Sequence, residues 1–105
     1  MQTQENTIII KNDQNEINLF VEKIANQDFK NNLILDLSET KNIKIADFKS
    51  FLEVAKKQKK QKKSLVLVAV DIDFNKISDK LNVVPSLQEA HDIIEMEEIE
   101  RDLGF

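Results

Sequence analysis

Six consecutive apolar residues, Leu65-Val-Leu-Val-Ala-Val70, constrain this chain more than any other feature. Three of the six are Val, a β-branched residue that packs well in an extended backbone. No polar residue alternates with them, so the strand they form needs cover on both faces. Such a strand sits centrally in a sheet with helices packed on it. The whole chain has 105 residues, which fits one domain, 1–105, and leaves no room for two cores. The run is also far too short to cross a bilayer, and no membrane partner is expected.

The rest of the chain alternates strand and helix. Thr7-Ile-Ile-Ile10 reads as a strand. Asn12, Asp13 and Asn15 break it and offer helix caps. Ile17, Phe20, Val21 and Ile24 then form one apolar helical stripe. Leu33-Ile-Leu-Asp-Leu37 reads as a second strand buried on both faces, and Ser38 to Lys44 as a polar loop. Ala46, Phe48, Phe51, Leu52 and Ala55 mark a second helix, with Asp47 as its candidate cap and a lysine-rich, solvated end. Phe74 to Leu81 has the apolar spacing of one or two helical turns, and Val83-Val84 is a short strand ended by Pro85.

Ser86, with Glu89 three residues on, makes a capping box before a last helix from Leu87 to Leu103, and Gly104 stands where a C′ glycine belongs. Ala90, Ile93, Ile94, Glu97 and Arg101 share one side of that helix. Ile93, Ile94, Met96, Ile99 and Leu103 are too many for one narrow stripe. Either the core-facing stripe is wide, or some of them face outward, where a partner can cover them. This order predicts an α/β fold: a mainly parallel sheet of four or five strands with about four helices.

Composition excludes more than it selects. There is no Cys, so no disulfide, thiolate metal site or Cys nucleophile can form. A single Gly leaves few of the tight turns that cradle phosphates, and a single His, His91, cannot build a histidine metal cluster. Asp71, Asp73 and Asp79 invite a magnesium reading, since Asp-x-Asp after a strand can bind that ion. Ile72 and Phe74 interrupt the set, however, and no metal or cofactor is expected. The aromatic residues are six Phe, so Ile, Leu and Val carry the core. Net charge is −4, which argues against nucleic acid as the main partner. The charge is segregated, however. Lys56, Lys57, Lys59, Lys60, Lys62 and Lys63 are clustered, and Glu89, Asp92, Glu95, Glu97, Glu98, Glu100 and Asp102 make the last helix acidic. Met1 to Asn6 lacks the basic start and apolar stretch of a signal peptide, and with zero Cys this leads to the expectation of a cytoplasmic protein.

Several segments occur in a telling order: Leu33-Ile-Leu-Asp-Leu-Ser38, a short loop, a helix beginning near Asp47, the run 65–70, and Pro85-Ser-Leu-Gln-Glu-Ala90 ahead of the last helix. Over about residues 31–103 this set resembles the STAS domain of anti-sigma factor antagonists. The resemblance implies a STAS-like fold and a bacterial, non-enzymatic regulatory role. It also implies a protein partner of the anti-sigma factor or kinase-like kind. The docking surface it implies is the 38–50 loop and the helix after it, with Asp36, Ser38, Lys44, Asp47, Phe48, Lys49 and Ser50 as partner-binding residues. By themselves, Asp36 and Ser38 read first as a turn carboxylate and hydroxyl that hold the loop. In the family, the Asp that starts this helix is followed by a phosphorylatable Ser/Thr pair. Setting Asp47 on that Asp and Phe51 on the family's Leu puts Phe48 and Lys49 at the pair and Ser50 on a Gly position. The phosphate switch is then missing or moved, with Ser50 the candidate phosphosite and Ser38 or Thr40 the alternatives. Phe48 either fills the core or stands exposed as an anchor.

The chain is also similar in general look to small bacterial proteins that carry a ribonuclease Z label. That enzyme needs a His-rich two-zinc site, which one His cannot supply. This second resemblance implies at most an RNA-associated accessory of such a tRNA-processing enzyme, acting through the lysine cluster.

Overall fold

The structure, a computed structural model, describes residues 6–13 and 16–104. Asn15, offered above as a cap, and Met1 to Glu5 of the amino-terminal segment lie outside the described residues. Four strands form one sheet: β1 (Thr7–Lys11), β2 (Asn32–Asp36), β3 (Leu65–Val68) and β4 (Asn82–Val84). All three pairings are parallel and the spatial order is β1-β2-β3-β4. Three α-helices accompany them among the described residues: α1 (Ile17–Ala25) and α2 (Leu52–Lys60) lie between strands, and α3 (Leu87–Asp102) follows β4.

The two central strands, β2 and β3, are buried at every residue: their apolar runs 33–35 and 65–68 require cover on both faces, and Asn32 and Asp36 at the ends of β2 are hydrogen-bonded. Register then sorts side chains onto two faces. Leu33, Leu35, Leu65 and Leu67 face α1 and α2, in a cluster with Phe20, Ile24, Phe51 and Val54. Ile34, Val66 and Val68 face the other way, under Ala90 and Ile94 of α3. The sheet is thus the middle layer of three.

Two expectations need correction. Among the described residues there are three α-helices and not about four; Phe74 to Leu81 winds one 3-10 turn, Phe74–Lys76, the shorter of the one or two turns expected. Asp73 Oδ1 accepts from the Asn75 backbone N–H at 3.1 Å, and Ile77 is already extended. Ser78 then starts another turn through Leu81 N–H and its own carbonyl, 3.1 Å apart. Local side-chain bonds of this kind favour turns over helix. The apolar run 65–70 is likewise longer than its strand. β3 ends at Val68, Ala69 still donates to the Val84 carbonyl at 3.0 Å, and Val70 is exposed because β4 is too short to flank it.

The last helix begins and ends as its sequence dictates. Ser86 Oγ accepts from the Glu89 N–H at 3.2 Å and contacts Glu89 Oε2 at 2.9 Å, and Gly104 takes a φ of 85° just past the end. Ser86→Ala is expected to cost about 1 kcal/mol and to lower the melting temperature by about 5 °C, read by circular dichroism.

Candidate functional site

The carboxyl ends of the strands carry the residues singled out by the STAS resemblance. Asp36 is buried, and its Oδ1 accepts from the Ser38 backbone N–H at 2.9 Å. Its carbonyl accepts from the Asn12 N–H at 2.9 Å, while Asn12 Nδ2 reaches Thr40 Oγ1 at 2.7 Å. Lys11 and Glu39 add an exposed ion pair. Asp36 and Ser38 therefore close a turn. Lys44 and Asp47 start the 3-10 helix Ile45–Phe51 that leads into α2: the Lys44 N–H donates to Asp47 Oδ2 at 2.9 Å, and the Asp47 N–H to the Lys44 carbonyl at 2.9 Å.

Phe48, named above as a partner-binding residue, is 2% exposed and belongs to the core. Its spacing of three from Phe51 puts both rings on the buried side of the 3-10 helix, where Phe51 also meets Phe20 edge-on with centroids 6.4 Å apart. Phe48 is therefore no exposed anchor. Of the seven residues, Lys44, Lys49 and Ser50 are exposed, and Ser50 carries the one exposed hydroxyl between positions 38 and 51. The recess beside them, lined by Phe48, Lys49, Lys76 and Ile77, is small, about 60 Å³. Ligand sites of open parallel sheets form where strand order reverses, and the order β1-β2-β3-β4 has no reversal. Among the described residues, no three of His, Asp and Glu are grouped to hold a metal ion.

The outer face of α3 is different. Met96, Ile99 and Leu103, spaced by three and four, lie on the helix side opposite Ala90 and Ile94. They are 58%, 53% and 66% exposed. Asp92, Glu95, Glu100 and Asp102 are exposed around them, and the one cation of the helix, Arg101, is turned inward. The apolar excess in this helix therefore resolves into a core stripe and a second, outward stripe.

Arg101 belongs to a polar network that fastens α3 to the amino ends of the strands. Its Nη1 donates to Ser64 Oγ at 3.1 Å, and Ser64 Oγ contacts Glu97 Oε1 at 2.5 Å. Asn82 Nδ2 donates to Glu97 Oε2 at 3.0 Å, and Asn32 Nδ2 to Glu98 Oε2 at 2.8 Å. Asn32, Ser64 and Asn82 were missed in the sequence. Their signal is a shared position: each is the polar residue directly before an apolar strand run.

On the opposite side of the sheet, a groove of about 290 Å³ runs between the carboxyl end of α1 and the length of α2. Ile24, Phe29 and Val54 give it apolar walls, and Lys56, Lys57 and Lys60 line it. Lys57 Nζ lies 2.6 Å from Asp28 Oδ1 and 3.1 Å from the Gln27 carbonyl. The hydrogen bond and charge of Lys57 hold the Asp28 carboxyl below its ordinary range. Lys56, Lys59 and Lys60 are exposed at the end of the helix. No helix in the described residues is long and apolar enough to cross a membrane. No family model and no curated protein matches the chain.

Proposed function

We propose that this protein is a non-enzymatic regulatory module that works by binding another protein, as its resemblance to STAS domains implies. The observation that carries this reading is the outward stripe of α3. Met96, Ile99 and Leu103 contribute nothing to the core, yet they stand together on one exposed helix face. A contiguous apolar patch rimmed by charge is the usual anatomy of a protein-binding surface. The carboxylates at its edges select for a basic partner surface and speed encounter with it.

The STAS-like part of the reading rests on segments 33–38 and 85–90. The first ends a central strand in an Asp that closes a turn, and the second caps the last helix. In this reading the partner is a regulatory protein of the anti-sigma factor or kinase-like class. The 38–51 segment adds the polar side chains Lys44, Lys49 and Ser50 to the accessible surface, without Phe48. A phosphate switch on this segment would act at Ser50, the exposed hydroxyl. Zero Cys fits the reducing setting of the cytoplasm.

A photo-crosslinking amino acid at position 99, introduced in the native host, tests the reading. Irradiation is expected to give a discrete protein adduct that disappears when Met96 and Leu103 are both replaced by Ser. Adducts with RNA alone, or a pattern indifferent to those two changes, would count against protein docking.

A further inference from the structure

The basic groove and the acidic stripe lie on opposite faces of the sheet, and their chemistries match. We propose that the groove between α1 and α2 receives the outer face of α3 from a second copy of this chain. The proposal rests on the reading of that face as a docking surface, and it names an occupant.

Three observations carry it. The first is apolar complementarity: Met96, Ile99 and Leu103 form an exposed ridge on one helix, and the half-buried Phe29 gives the groove between two others its accessible apolar surface, above the buried Ile24 and Val54. Laying an apolar helix face into such a groove is a standard recognition mode. The second is charge. The ridge is flanked by Asp92, Glu95, Glu100 and Asp102, and the groove by Lys56 and Lys60, with Lys57 held by Asp28 and Glu53 the one acid lining it. A symmetric contact of α3 with α3 would set two carboxylate-rich faces together, and like charges across an interface are costly. A contact between unlike surfaces avoids this. The third is placement. α1 and α2 cover one face of the sheet and α3 the other, so a copy cannot satisfy its own groove. The contact is therefore heterologous. It repeats from copy to copy and ends only where a ring closes or the supply of copies does. The patch is small, so the association is weak and screened by salt.

Charge reversal on the full chain tests this. The groove variant is Lys56→Glu with Lys60→Glu, leaving Lys57 to its Asp28 and Gln27 contacts. The helix variant is Glu95→Lys with Glu100→Lys. Sedimentation velocity on the wild-type chain is expected to show an average mass that rises with concentration and falls back in high salt. Each variant alone is expected to associate at least about a hundredfold more weakly. An equimolar mixture of the two is expected to recover the wild-type association, because each reversed surface then meets its complement. Lys76→Glu with Lys80→Glu, placed outside the groove, is expected to change nothing, and thermal melts establish that every variant is folded.

A wild-type chain that stays monomeric at millimolar concentration overturns the proposal. So does association that survives the groove reversal, or a mixture that fails to recover it while both variants are folded. Saturable binding of a short single-stranded RNA, abolished by the groove reversal in a chain that does not self-associate, assigns the groove to RNA and overturns it too. A monomeric chain whose position 99 still captures a foreign protein leaves the docking role of α3 standing and refutes the second copy alone.

Discussion

Val68→Asp is expected to leave no cooperatively folded protein, whereas Val70→Asp is expected to fold almost as well as the wild type. The two positions belong to one apolar run in the sequence, and their environments differ completely. Val68 is 2% exposed, flanked in the sheet by Asp36 and Val84 and covered by Ile94 and Ala90. A carboxyl there loses its water and gains no partner, and its register neighbour is itself a buried carboxylate. Burying even an unpaired neutral polar group costs about 2–7 kcal/mol. That is comparable to the whole stability of a domain this size, about 5–15 kcal/mol. Val70 lies past the end of β3 and is exposed, so the same change there should stay within about 0.5 kcal/mol. Urea titration followed by circular dichroism reads both. A cooperative unfolding transition in Val68→Asp would sink the assignment of β3 as the central strand.

The sequence made the middle of this molecule legible and its edges less so. Leu33 to Leu37 and Leu65 to Ala69 have one physical solution, a strand covered on both faces, because their apolar residues fall on consecutive positions and Asp36 is the one polar residue among them. The Ser86–Glu89 box and Gly104 marked both ends of α3 through hydrogen bonds that depend only on local sequence. Phe74 to Leu81 keeps to the shorter of the one or two turns its spacing predicts, for the same kind of reason. Its apolar spacing of three and four matches a helix, but Asp73 and Ser78 bind backbone N–H groups two residues on, and those bonds stop the turn from propagating.

The outward stripe of α3 was readable as an excess of apolar residues, since a helix of known length has a limited buried face. The choice between a wide core stripe and a second exposed one needed the distance from the sheet, which local sequence does not encode. The groove was not readable at all. Its walls come from Ile24 and Phe29 on one side and the distant Val54 on the other, joined only when α1 packs beside α2. Within the 38–51 segment the resemblance left Phe48 either filling the core or standing exposed, and its burial beside Phe51 selects the first.

Phe48→Ala is therefore expected to act on stability and not on recognition. The ring is buried within a cluster that includes Phe20, Phe51 and Leu81, and it borders a small recess lined by Ile45, Leu52 and Ile77. Truncation leaves a cavity that the 3-10 helix and the 77–81 segment can only partly collapse, at a cost of about 3–5 kcal/mol. The melting temperature should fall by about 15 °C or more at the sensitivity of a chain this long. At a temperature where the variant is still folded, crosslinking from position 99 should match the wild type. Met96→Ser combined with Ile99→Ser should do the reverse. Both side chains are exposed, so stability should move by less than about 0.5 kcal/mol per site, while docking through α3 is lost. The pair of experiments separates fold from function along one chain. A Phe48→Ala protein with an unchanged melt would place the ring outside the core. It would then return Phe48, with Lys44, Lys49 and Ser50, to the surface that a partner reads.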